Sequence, residues 1–81
     1  MKSVREVQPL PENKLFLVFD SGEKRIADLT QLLEKPLFSF LKNESFWKQV
    51  YIEYGAVTWK NESGYEVDIC PDKLYMDSVP A

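Results

Sequence analysis

Few side chains in this sequence could carry out chemistry, because it has one cysteine and no histidine. Histidine is the commonest general base and the commonest metal ligand, so the chain alone cannot build a Ser-His-Asp or Cys-His site. Cys70 precedes Pro71, which suits the first position of a helix, where the helix dipole could favour a thiolate. A lone cysteine is more often a small buried hydrophobe, and both roles stay open.

Aspartates could supply an acid–base pair or an oxygen-ligated cation site. They are Asp20, Asp28, Asp68, Asp72 and Asp77. Asp20 lies in a turn with Gly22, Asp28 has the position of a helix N-cap and Asp72 falls in a first helical turn. Carboxylates at such positions usually accept hydrogen bonds from backbone amides and have a structural role. The three glycines are scattered and form no phosphate loop. We expect no catalytic residue, metal or cofactor, with a carboxylate- or thiol-based enzyme or ligand site as the alternative.

Length and charge limit what else the chain can be. Its 81 residues leave room for one core, which predicts a single domain over residues 1–81. Ten basic against thirteen acidic residues give a net charge of −3 without a basic tract. This balance argues against direct nucleic-acid binding and suits a basic protein partner. Without a signal-like start, a membrane-length apolar run or a second cysteine, we expect a cytoplasmic protein with no membrane contact.

The elements that would position these side chains are mostly strands. Residues 4–10 are β-like and polar, and Pro9 suggests an edge position. Residues 14–19 predict a strand, 20–22 a turn and 23–27 the returning strand. Asp28 and Gln31 resemble a capping box for a short helix that Pro36 ends.

The rest of the chain alternates between short helical turns and strands. Residues 37–47 predict loop and one helical turn capped by Asn43. A second hairpin covers 49–59, and residues 65–69 form a further strand after a turn at 61–64. Pro71 opens a helical turn, and the tail after Asp77 is expected to fray. The fold class is therefore α+β, an antiparallel sheet of two hairpins in a meander with a helical middle segment.

One strand is apolar on both faces. Leu15, Leu17 and Phe19 share one face, and Phe16 and Val18 occupy the other. A half-exposed strand should alternate with polar residues, so the helical middle or another protein must cover the second face. Phe16 and Val18 are accordingly candidates for protein binding.

Aromatic residues offer a further candidate surface. Trp59, with Tyr65 and Tyr75, could stack on bases or anchor a protein. Stacking on bases is disfavoured because no basic residues accompany them. For Trp59 we keep two alternatives, a protein-binding anchor and simple core packing.

The chain contains the segments FDSG at 19–22, DL at 28–29, Phe46 with Val50, GAVTW at 55–59 and VDICPDKLY at 67–75. Together these segments resemble the mostly prokaryotic domain-of-unknown-function family 2442. The resemblance implies a compact α+β domain without an established activity. Members are sometimes joined to a helix-turn-helix segment and sometimes encoded beside a small partner in a toxin–antitoxin-like arrangement.

Residues and resemblance together favour a non-catalytic protein-interaction module. Its partner would be a second copy or a small basic protein, and it would bind through the apolar strand or an exposed sheet edge. The resemblance implies that it could be the antitoxin-like half of a pair. Besides the enzyme or ligand-binding alternative, a transcription-regulatory accessory domain is the second alternative.

Overall fold

Three consecutive strands form two hairpins in the computed structural model, which describes residues 1–81. The strands are β1 (Val4–Leu10), β2 (Lys14–Phe19) and β3 (Lys24–Asp28), paired antiparallel. The second turn needs the left-handed backbone of Gly22, whose φ is 89°, at the position predicted for it. β1 is an edge strand, as Pro9 predicted.

The tail after Asp77, predicted to fray, is a strand instead. It forms β7 (Ser78–Pro80), which pairs antiparallel with β3 and completes a four-stranded sheet in the order β1-β2-β3-β7. Arg25 donates from Nε to Ser78 Oγ over 2.5 Å and from Nη2 to the Ser78 carbonyl over 2.7 Å. The tail is ordered by a side chain 53 residues earlier, which local sequence patterns do not reveal.

A second sheet is a meander of three strands in the predicted region. It contains β4 (Tyr51–Glu53), β5 (Ala56–Lys60) and β6 (Glu66–Ile69) in that order. Tyr54 and Gly55 both have positive φ, 51° and 77°, as a tight two-residue hairpin turn requires. The Val4 amide donates to the Gly55 carbonyl over 2.8 Å and so ties the first sheet to the second.

The helical middle, residues 32–47, is mostly 3₁₀ helix. It comprises 3₁₀ segments at Leu32–Glu34 and Pro36–Lys42, followed by α1 (Glu44–Trp47). Asn43 caps α1 by accepting from the Ser45 amide, as predicted, whereas the expected loop before it is the second 3₁₀ segment.

Asp28 does not cap a helix as predicted. Its carboxylate accepts from the amide and hydroxyl of Thr30, which makes a local turn, and the following 3₁₀ segment has no side-chain cap. Pro36 holds Lys35 extended, with ψ 139°, and so ends that segment after one turn. The last helix, α2 (Pro71–Met76), begins at Pro71 as expected. None of the helices is long and apolar enough to cross a membrane.

One hydrophobic core joins side chains from both sheets, the helical middle and α2. The rings of Trp47 and Trp59 stack with centroids 5.5 Å apart. Trp59 Nε1 donates to the Trp47 carbonyl, and Trp47 Nε1 donates to the Leu10 carbonyl. These bonds satisfy both indoles and fix the helical middle to the sheets. Sheets and short helices together confirm the α+β class, with the strands divided between two sheets.

Candidate protein-interaction surface

The four-stranded sheet has two faces with different surroundings. Leu15, Leu17 and Phe19 of β2 belong to the core and are at most 1% exposed. Because successive strand residues alternate, Phe16 and Val18 lie on the opposite face. That second side of the sheet is called the outer face below.

The strand register extends the outer face across the whole sheet. Phe16 lies opposite Gln8 of β1 and Ile26 of β3, and Ile26 lies opposite Val79 of β7. Phe16, Ile26 and Val79 therefore form one apolar row that crosses three neighbouring strands. Ten residues make up the outer face: Glu6, Gln8, Leu10, Lys14, Phe16, Val18, Lys24, Ile26, Asp28 and Val79.

Exposure increases along the row from the sheet centre to its edge. Phe16 and Ile26 are half-buried, while Val79 is 60% exposed. Val18 is only 4% exposed, and the register places the long side chains of Glu6 and Lys24 on either side of it. A partner can therefore reach the row directly and would reach Val18 only past its neighbours.

No element of the chain packs over this row. Its apolar side chains neither belong to the core cluster nor pack against it, whereas Leu33, Phe38 and Leu41 of the helical middle belong to that cluster. The helical middle therefore covers the face of Leu15, not the face of Phe16. Within the chain, Val18 is covered but the apolar row is not packed against the core cluster.

Charged residues flank the apolar row at both ends of the strands. Lys14 lies opposite Asp28 at one end, and Glu6 and Lys24 lie on either side of Val18 at the other. The face carries two acids and two bases, so its net charge is zero. Hydrogen bonds from the Thr30 hydroxyl and amide lower the pKa of Asp28, which keeps this carboxylate charged.

Trp59 lies away from this face and inside the molecule. Its side chain is 0% exposed, and its only polar atom is already bonded to the chain. The core-packing alternative therefore describes it, and a partner could not touch it in the folded protein. The exposed aromatic residues are instead Tyr54 and Tyr65, in turns of the second sheet.

The residues considered for chemistry are spread over the molecule. Cys70 is exposed and precedes α2 without making a side-chain cap. Asp72 accepts from the Lys2 amide, and Asp77 pairs with Lys73 at 3.0 Å. No three His, Cys, Asp or Glu residues are grouped where they could hold a metal ion.

A polar cluster that the sequence did not indicate surrounds Tyr75. Lys2 and Arg25 lie over its ring at 4.0 and 4.2 Å, and its hydroxyl donates to the Glu23 carboxylate over 2.8 Å. Hydrogen bonds from Tyr75 and then Arg25 lower the pKa of Glu23, and the bond to Glu23 raises the pKa of Tyr75. Every charged group here already has a partner, which is typical of a structural anchor. It fastens α2 and the N-terminus to β3.

An open cleft of about 700 Å³ lies between residues 28–35 and α2. Four of its polar residues are already paired with one another, because Asp28 accepts from Thr30 and Lys73 donates to Asp77. Lys35 is the remaining charged group on its wall. Bound ligands normally need several convergent polar groups, so the cleft is a poorer candidate site than the outer face.

Comparison with known proteins gives one match. The model of the family described as "Protein of unknown function (DUF2442)" matches residues 4–80, nearly the whole chain. Neither the curated proteins nor the solved structures contain a match to this chain.

Proposed function

The chain belongs to the DUF2442 family of proteins of unknown function, and we propose that this member is a non-catalytic protein-interaction module. The partner binds the outer face of the four-stranded sheet. The single observation that carries the proposal is the apolar row of Phe16, Ile26 and Val79, over which no element of the chain packs. Soluble proteins rarely leave a contiguous apolar patch uncovered unless it has a binding role.

The row has the arrangement of an interface centre. Phe16 lies near the middle of the sheet, and charged or polar residues surround it on the neighbouring strands. Interfaces commonly place an aromatic anchor at their centre and polar groups at the rim, where they exclude water. β2 and β3 hold Phe16 and Ile26 on paired strands, so little conformational entropy would be lost when they are buried.

The proposal also includes the compartment in which the module works and the kind of role that it has. The module works in the cytoplasm, where its lone cysteine stays reduced. An antitoxin-like role is one form that such a module could take, with the second protein of the pair as its partner. This role and the regulatory accessory role rest on family resemblance alone.

The test is chemical crosslinking in the protein's own cells at natural abundance, which traps weak complexes, followed by purification of the N-terminally tagged protein and mass spectrometry of its adducts. The test variant is Phe16→Ser with Val79→Lys, which leaves the nearly buried Val18 in place. The control is Leu37→Lys, since Leu37 is 62% exposed and Val79 60%. We expect parent and control to retain a crosslinked protein partner that the test variant loses. Equal retention by all three proteins would contradict the proposal.

A further inference from the structure

We propose that the partner on the outer face is a second copy of this chain, packed face to face about a two-fold axis that runs across the strands. This inference rests on the proposed function and names its partner. It is carried by the apolar row together with the positions of the four charged residues of the outer face, Glu6, Lys14, Lys24 and Asp28.

The proposed axis lies in the plane of the sheet along the apolar row. Rotation about it stacks Phe16, Ile26 and Val79 of one copy on the same residues of the other. It also exchanges the two ends of each strand, so that the end carrying Lys14 and Asp28 meets the end carrying Glu6 and Lys24. Sheets packed face to face lie about 10 Å apart, so long side chains at the rim can meet across the interface.

This rotation brings opposite charges close together at both ends of the strands. Asp28 lies on β3 and meets Lys24 of the second copy, which lies on the same strand. Lys14 lies over Val18 of the second copy and pairs with Glu6 on the adjacent strand β1. Lys24 on the other side of that Val18 is paired with Asp28. Each pair occurs twice by symmetry, as in any two-fold interface, and no charged residue of the face is left without an opposite charge.

Other face-to-face rotations match the apolar row less well. An axis running along β2 places Ile26 over Gln8 of the second copy and stacks Lys14 on Lys14. An axis between β2 and β3 pairs Lys14 with Asp28 of the second copy, but it places Val79 over Gln8. Of these three rotations, the axis across the strands alone stacks all three apolar residues on apolar residues while each charge has an opposite charge nearby. The apolar row and the charges together therefore select this axis.

The same charges make a strongly basic partner a poor fit for this face. The excess of acids in the whole chain, net charge −3, lies outside the outer face, whose own charges sum to zero. A basic partner would bring its positive charge against Lys14 and Lys24 as well as against the two acids. A second copy meets every charge with its opposite.

The size of the face predicts a weak dimer. Four strands about 4.8 Å apart, with outer residues spread over about 15 Å along each strand, offer roughly 300 Å² per copy. Stable interfaces bury about 800 Å² per partner, so we expect a dissociation constant of about 10–500 μM.

Sedimentation equilibrium up to about 1 mM protein tests the dimer. We expect the parent to dimerise, Val79→Lys to raise the dissociation constant at least about tenfold by burying two new like charges at the axis, and Leu37→Lys to stay within about twofold. A parent that remains monomeric at about 1 mM would overturn the inference. So would a dimer that Val79→Lys leaves unchanged.

Two charge variants test how the two copies are aligned on each other. Lys14→Glu places a negative charge next to Glu6 of the second copy. Glu6→Lys places a positive charge next to Lys14 of the second copy. Each variant alone should dimerise about tenfold more weakly than the parent, because two attractive pairs become repulsive. Mixed together they restore both pairs, so the heterodimer should form within about threefold of the parental constant. Circular dichroism checks that both fold, and a mixture no tighter than either variant alone would overturn the proposed axis.

The two proposals fail in different ways. If the parent is monomeric but is crosslinked to another protein that the Phe16→Ser, Val79→Lys variant loses, the interaction module stands and the second-copy inference falls. If a dimer forms whose constant the outer-face variants do not change, the outer face is not its interface, and the proposed function then depends on the crosslinking alone.

Discussion

The two faces of β2 carry similar side chains in opposite surroundings. Leu15 and Leu17 are completely buried beneath the helical middle and the second sheet, whereas Phe16 is half-buried with no element over it. A strand that is apolar on both faces indicates two contacts. The pattern does not reveal which contact lies within the chain, because that depends on where a distant segment packs.

The largest expected effect comes from the covered face. Leu17→Ala leaves a cavity in the core, and we expect the free energy of unfolding in urea to fall by about 2–5 kcal/mol. A loss below about 1 kcal/mol would mean that the inner face is not the core side of β2.

The edge strand should show the next largest effect. Ser78→Ala removes the hydroxyl that accepts from Arg25 and donates to the Tyr75 carbonyl. Because Arg25 loses a buried acceptor, we expect a loss of about 1–2 kcal/mol. Ser39→Ala, at an exposed serine that bonds the Pro36 carbonyl, is the matched control and should change stability by less than about 0.5 kcal/mol. Equal effects of the two variants would contradict the anchoring of β7, and with it the position of Val79 in the apolar row.

The outer face should contribute less to folding than the inner face. Phe16→Ala should cost about 1 kcal/mol, since the ring is only half-buried and its removal leaves no closed cavity. The measurement is the same urea titration, made at about 5 μM protein so that self-association does not contribute. A cost equal to that of Leu17→Ala would make Phe16 a core residue and remove the contrast between the two faces.

The smallest expected effect concerns pH. The pKa of Glu23 is lowered below 4.5 in the folded protein by Tyr75 and Arg25, so the unfolded chain binds the proton more tightly. The stability from this group is present above pH 4.5 and is lost as the pH falls through the folded value. Tyr75→Phe should flatten this acid-side loss, measured as the melting temperature between about pH 3 and 6. An unchanged acid-side slope would contradict the link between Tyr75 and Glu23.

Local signals in the sequence predicted much of the fold. Gly22, Asn43 and Pro71 each mark a turn or a helix start that the structure contains, because these residue types act through their own backbone. β7 and the 3₁₀ segments could not be predicted this way. β7 depends on Arg25, far away in the sequence, and its three residues are too few to show a period.

The candidate surface was only partly visible in the sequence. Period-two alternation indicated Phe16 and Val18, but Ile26 stands among charged residues and Val79 lies in the tail that was expected to fray. Both join the row only through the pairing of β3 with β2 and β7. Trp59 had the residue type of an anchor, yet its burial depends on the stacking partner Trp47, which the sequence did not identify.

Photo-crosslinking in the protein's own cells tests the central claim most directly, that the outer face contacts another protein. The photo-reactive residue p-benzoylphenylalanine replaces Val79 in one variant and Leu37, which is similarly exposed, in the other. We expect ultraviolet light to give a discrete protein adduct from position 79 and none from position 37, with an adduct near twice the 9.5 kDa of the chain if the partner is a second copy. Adducts no more abundant from position 79 than from position 37 would contradict the claim.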